Sequence, residues 1–214
     1  MINFTIKKMI LEACVENWDE AQKAMHNGAH RLELCSHLEL DGLTPDQALI
    51  KKTCSNVNIP VMVMIRPRGG DFVYSEEELQ QMEKEIDIAK NNGAAGLVFG
   101  LLTPENKIDV VNTERLVGRA APLSVTFHKA IDCLADPVEG VLALMEIKGI
   151  TRILTSGGKP TAREGANVIR EMIDKSGDAL TILVAGRVTD ENVKEIAELT
   201  GAKELHGRKI VGDL

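Results

Sequence analysis

The 214-residue sequence predicts one α/β domain over residues 1–214, a (β/α)8 TIM barrel with a short or missing final helix. Short apolar runs alternate with capped amphipathic segments along the whole chain. Helix-ending glycines at Gly28, Gly93, Gly149 and Gly201 each lead within a few residues into an even-numbered strand, while Pro60 and Pro122 introduce strands three and five. Matching phrases, Leu43-Thr44-Pro45-Asp46 and Leu102-Thr103-Pro104-Glu105, follow the second and fourth strands, so the repeating unit is a pair of βα modules taken four times. Right-handed crossovers carried round eight times bring the last strand to the first. A doubly wound open sheet is the alternative, but no GxGxxG phrase follows the first strand.

The elements follow in order. Residues 10–14 form the first strand; Asn17 caps a helix with acidic Glu20 at its third position, and Gly28 closes it. Residues 31–35 are the second strand. Thr44 reads as the cap of the next helix, with Pro45 at the first helical position, where a missing N–H costs nothing. Residues 61–65 are a continuous apolar strand, buried on both faces, in which Met62 and Met64 read as core. Ser75 with Glu78 caps a long helix to Asn92; residues 96–100 are strand four, 113–120 a helix, and 123–128 strand five. Asp136-Pro137 opens the next helix and residues 150–155 are strand six. Thr161 with Glu164 opens helix six, residues 180–184 are strand seven, Thr189 with Asn192 opens helix seven, and residues 203–206 are strand eight. Only seven residues follow Gly207, too few for a full eighth helix, so residues 1–8 or a second subunit should cover the seam between strands eight and one. A homo-oligomer is the expectation.

Composition excludes several classes. Lys+Arg 25 against Asp+Glu 32 gives −7, and one Trp, one Tyr and four Phe provide no stacking platform, so nucleic acid is not a partner. The longest apolar run, residues 94–102, is nine residues with two glycines, too short to span a membrane. Glu12 interrupts the first apolar patch too early for a signal peptide, which makes the expected location cytoplasmic. Four cysteines without a CxxC pair form neither a zinc ribbon nor a disulfide framework, and Cys54 and Cys133 read as small buried hydrophobes. No organic cofactor is evident.

Chemistry in such a barrel sits at the C-terminal ends of the strands. Glu12 with Cys14 and Glu33 with Cys35 repeat one spacing 21 residues apart, and side chains two apart on a strand share a face. Arg66, His128 and His206 end strands three, five and eight. Charges inside a barrel require partners, and Arg66 between Glu12 and Glu33 is the natural arrangement. Glu12, Glu33, Arg66, His128 and His206 are therefore candidate catalytic residues. The loops that carry Arg68, Ser156-Gly157-Gly158 and Gly186 offer backbone N–H groups beside cations, the chemistry of a small anionic, perhaps phosphorylated, ligand. Cys14 and Cys35, on adjacent strands at equivalent heights, would bring two thiols together, which suits Cu(I). A barrel plugged by structural ion pairs accounts for the same charges without any ligand.

The phrases Leu32-Glu33-Leu34-Cys35-Ser36, Met64-Ile65-Arg66-Pro67-Arg68-Gly69-Gly70-Asp71-Phe72, Thr126-Phe127-His128-Lys129-Ala130 and Thr155-Ser156-Gly157-Gly158 resemble the CutC family of copper homeostasis proteins, and the resemblance covers nearly the whole chain. It implies a (β/α)8 barrel, a cytoplasmic location and Cu(I) held by the cysteines that match Cys14 and Cys35. The chain departs from the family pattern at Lys129 and Ile131, and at Arg187, where the family has glycine.

Overall fold

In the computed structural model, which describes residues 9–214, eight parallel strands close into a barrel in the order of the sequence. The strands are β1 (Ile10–Val15), β2 (Arg31–Leu34), β3 (Val61–Met64), β4 (Gly96–Phe99), β5 (Ser124–Phe127), β6 (Ile150–Thr155), β7 (Thr181–Val184) and β8 (Glu204–Gly207). Among the described residues seven α-helices pack outside them: α1 (Trp18–His26), α2 (Gln47–Asn56), α3 (Glu76–Asn91), α4 (Val110–Ala120), α5 (Pro137–Met145), α6 (Ala166–Ser176) and α7 (Val193–Thr200).

The alternation of strand side chains sorts the two faces. One set, including Ala13, Leu32, Val63, Phe99 and Phe127, packs outward with the buried faces of the helices into the main hydrophobic core. The other set turns inward, and there Cys14, Cys35, Met62, Met64 and Val98 form a separate, sulfur-rich cluster. Gly96 makes room for it: a Cβ at that position would lie 2.2 Å from Met62 Cε.

Local chemistry sets the helix starts. Asn17 accepts from Glu20 N at 2.9 Å, Ser75 and Glu78 form the reciprocal capping box, and Asp136 caps α5 with Pro137 in its first turn. Four starts differ from the sequence expectation, and one of them is α7, which begins at Val193 after a turn in which Thr189 N donates to Asn192 Oδ1 at 2.9 Å, rather than at Thr189. Asp46, not Thr44, caps α2, because the Thr44 hydroxyl accepts from Arg66 N at 2.8 Å and donates to Glu85 at 2.6 Å. Asp109 caps α4 a turn before Thr113, which is fully buried. The Thr161 and Glu164 side chains do bond each other's backbone N–H groups, but they close a turn, and α6 begins after Gly165, where a Cβ would lie 1.9 Å from Ser156 O.

No helix follows β8. Residues 208–214 instead cross the edge of the barrel in irregular form: Ile210 is buried, Asn27 donates to Val211 O at 3.1 Å, and Arg208 pairs with Glu20 at 2.7 Å. These residues contribute cover at the seam; the expectation that residues 1–8 do so lies outside the described residues. No helix among the described residues is long and apolar enough to cross a membrane.

Candidate functional site

The barrel interior holds a column of charge rather than a plug of aliphatic side chains. Near the N-terminal end Arg152 donates to Glu204 at 2.9 Å, and Arg31 donates to Glu204 at 2.6 Å and also to Glu12. Strand register places these groups side by side, for Glu12 pairs with Arg31 on one flank and with His206 on the other. His206 Nδ1 lies 2.9 Å from Glu12 Oε1, and its Nε2 lies 3.6 Å from Glu33 Oε2. Above them Cys14 Sγ and Cys35 Sγ are 3.5 Å apart, both buried and free.

Neighbouring charges decide the protonation of these groups. Burial alone would raise the Glu12 carboxyl, but the His206 hydrogen bond and the Arg31 charge hold it down at about 2. Burial opposes charge on His206 as well, yet the Glu33 charge and the bonds to Cys14 and Glu12 push it well above the usual imidazole range. Glu33 is raised, chiefly by burial and also by the Glu12 charge, against the pull of His206. With His206 protonated, the column reads Arg152, Glu204, Arg31, Glu12, His206, Glu33 with signs alternating, so that each charge meets an opposite one. The Cys14 thiol is raised well above its ordinary value by its bond to Cys35, by burial and by the Glu33 charge, so it carries its proton in the free protein.

The column opens on a cavity of about 510 Å³ at the C-terminal mouth, lined among others by Cys14, Glu33, Cys35, Met64, Arg66, Phe72, His128 and His206. Glu12 lies beneath it. His128 packs against Phe72 with ring centroids 4.8 Å apart and accepts a 3.3 Å hydrogen bond from Ala130 N at its Nδ1. Burial, with the Arg66 charge, lowers its pKa to about 3, so the ring is neutral. Gly100 permits this position, since a Cβ there would lie 2.5 Å from His128 Nδ1.

Several expectations need correction. Arg66 does not bridge Glu12 and Glu33; its guanidinium donates to the carbonyls of Leu40 at 2.8 Å, Gly42 at 3.2 Å and Gly70 at 3.0 Å, which ties the loops after β2 and β3 together. The glutamates take Arg31 and His206 instead, because those residues lie inside the barrel beside them. Arg68 lies off the cavity, clasped by Glu78, Asp71 and the Val73 carbonyl. The Ser156-Gly157-Gly158 loop does cradle an anion, but the anion is the Asp132 carboxylate, which accepts from Ser156 N, Ser156 Oγ and Gly158 N, each at 2.9 Å, and from Thr155 Oγ1 at 2.5 Å. Gly186 serves the packing of that loop, since a Cβ would lie 2.8 Å from Ser156 Cβ. Cys133 is exposed at the rim rather than buried. Cys14 and Cys35 are not at equivalent heights, for Cys14 pairs with Glu33; their thiols meet along a diagonal.

Arg31, Arg152, Glu204 and Asp132 were not among the candidates. Parity puts Glu204 on the face of His206 and could have found two more: Arg31 shares a face with Glu33, and Arg152 with Leu154. Asp132 sits in a short 3-10 turn over residues 129–133, where no periodicity points to its target.

The CutC family model matches residues 9–211. A copper homeostasis protein cutC homolog of Mus musculus is 42% identical over 197 residues, covering 92% of this chain and 72% of the relative. A family protein CutC of Histophilus somni is 41% identical over 198 residues, covering 92% and 81%. Among solved structures, CutC of Streptococcus agalactiae aligns with a TM-score of 0.89 at 34% identity over 94% of this chain and 99% of its own. QR15, an aldolase, aligns with a TM-score of 0.71 at 16% identity over 100% of this chain and 95% of its own, a similarity of fold alone.

Proposed function

The chain belongs to the CutC family, and we propose that it acts in copper homeostasis by binding Cu(I) between the thiols of Cys14 and Cys35. The observation that carries this reading is the 3.5 Å approach of the two Sγ atoms inside a cluster whose remaining members include two thioethers, Met62 and Met64. The separation is far beyond a disulfide bond of about 2.05 Å. It leaves two soft donors converging on one point, the donor type that selects Cu(I).

Most of the hard-donor capacity nearby is engaged, Glu33 Oε1 excepted. Glu12 is held by Arg31 and His206, and one oxygen of Glu33 faces His206. The set therefore fits a soft monovalent ion better than a divalent ion that demands oxygen ligands. Bound Cu(I) would supply a Lewis-acidic cation in place of thiol protons. The chain contributes two thiols on neighbouring strands, a dry wall of Met62, Met64 and Val98, and a mouth through which an ion enters.

X-ray absorption on protein loaded anaerobically with Cu(I) tests the donor set. A first shell of sulfur alone, lost when Cys14 and Cys35 are both replaced by serine, is expected; a shell of oxygen and nitrogen, or a spectrum unchanged in that variant, contradicts it.

A further inference from the structure

A copper ion held by two thiols leaves other polar atoms of the mouth without partners. Glu33 Oε1 and His128 Nε2 are both buried and make no hydrogen bond, on residues 3% and 4% exposed that line the same cavity. Such atoms forfeit a hydrogen bond unless a water or a ligand supplies it. Glu33 projects from β2 and His128 follows β5, three strands round a ring of eight, so the two face the cavity from well-separated walls.

The neighbours of each atom indicate its role. Because Ala130 N donates to His128 Nδ1, the neutral ring carries its proton on Nε2 and offers a donor. Glu33 Oε1 offers an acceptor. Beside His128 lies Arg66, 2% exposed, with no carboxylate in ion-pair contact among the described residues. Phe72 joins the two, 4.9 Å from the Arg66 guanidinium and 4.8 Å from the His128 ring. One wall of the cavity thus presents a cation and a donor, the other an acceptor, with Met64 and Leu154 as apolar lining.

The complement of that arrangement is a small molecule with a negative group at one end and a hydrogen-bond donor at the other. Phosphate does not suit it, because the backbone cradle after β6 that would take phosphate is filled by Asp132 and Arg68 is clasped by Glu78 and Asp71. We propose that the mouth binds a small carboxylate bearing a hydroxyl or amino group, its carboxylate received by Arg66 and His128 and its hydroxyl or amino group by Glu33. This site shares the cavity with the two thiols but does not rest on the copper reading.

Calorimetric titration of the full chain with lactate, serine, acetate, inorganic phosphate and glycerol tests it. Lactate or serine should bind about tenfold tighter than acetate, the loss expected for one hydrogen bond to a charged group, while phosphate and glycerol give no heat of binding. Lactate alone would identify the donor as a hydroxyl, serine alone as an ammonium group. Glu33→Gln should narrow the gap between lactate and acetate, because an amide replaces the carboxylate acceptor. His128→Phe should weaken lactate, serine and acetate alike. Should His128→Phe fail to fold, the histidine side-chain ¹⁵N spectrum of the unaltered protein supplies the same test, since ligand binding should move the His128 Nε2–H resonance. No binding of lactate or serine at high millimolar concentration, equal binding of phosphate, or a lactate preference untouched in Glu33→Gln overturns the proposal. The titrations use metal-free protein, so their outcome is independent of that of the copper experiment.

Discussion

Cys14 Sγ lies 3.5 Å from Cys35 Sγ although strand pairing sets Cys14 beside Glu33. The stagger of the parallel strands puts Cys35 one inward-facing step higher than Cys14, just past the end of β2. The two thiols therefore meet on a diagonal with Glu33 beside them; the donor atoms of all three residues lie within 4.8 Å of one another. This places a sulfur pair on top of an ion-pair column whose lower members fix the position of Glu33 and His206.

The first prediction concerns that column. Glu12→Gln removes the charge that meets both Arg31 and His206, and leaves two buried cations short of a counter-charge. A loss of about 3 to 5 kcal/mol in urea unfolding is expected; a loss below about 1 kcal/mol would mean the column relaxes without Glu12.

Acid should act through His128. Its folded pKa of about 3 lies below the 6.5 of an unperturbed imidazole, so the unfolded chain takes up the proton first. The stabilisation from keeping the ring neutral is complete above the unfolded value and declines as pH falls toward the folded one. Between about pH 6 and pH 4 the protein should lose roughly 1 kcal/mol per pH unit more than a His128→Gln variant, measured by denaturant unfolding at each pH. Parallel pH profiles of the two proteins would contradict it.

Gly100→Ala brings a Cβ to 2.5 Å from His128 Nδ1 and must displace a ring held by Phe72 and Ala130. Overpacking of this kind costs about 1 to 3 kcal/mol. The expected result is a lower melting temperature together with a shifted His128 ¹⁵N resonance, and an unshifted resonance would show that the neighbouring backbone moves instead.

Asp132→Asn tests the filled cradle. The amide keeps one acceptor where the carboxylate took bonds from Ser156, Gly158 and Thr155. Destabilisation by roughly 1.5 to 3 kcal/mol is expected, read from unfolding curves; unchanged stability would mean the loop after β6 holds its shape unaided.

Much of this architecture is legible in the residues. Eight strands and their helices can be read from apolar period and caps, and the Glu-x-Cys repeat marks the two strands that carry the sulfur pair. Partner choice is less legible. Arg66, with its Pro67 and Arg68 neighbours, advertises itself as the counter-ion of Glu12 and Glu33, yet at the start of the loop after β3 it donates to three carbonyls. Arg31, at the start of β2, takes the role because register sets it directly beside Glu12. The Ser156-Gly157-Gly158 loop reads as a cradle for a ligand anion, but its donors go to Asp132, 24 residues away from Ser156 and brought to it by closure of β5 against β6.

The central claim, that the two thiols form one Cu(I) site, is tested most directly by anaerobic competition with a chromophoric Cu(I) chelator. The protein should withdraw one equivalent of Cu(I) from the chelator, and the Cys14→Ser, Cys35→Ser double variant, with its fold verified by circular dichroism, should withdraw none. Equal withdrawal by both proteins would contradict the account.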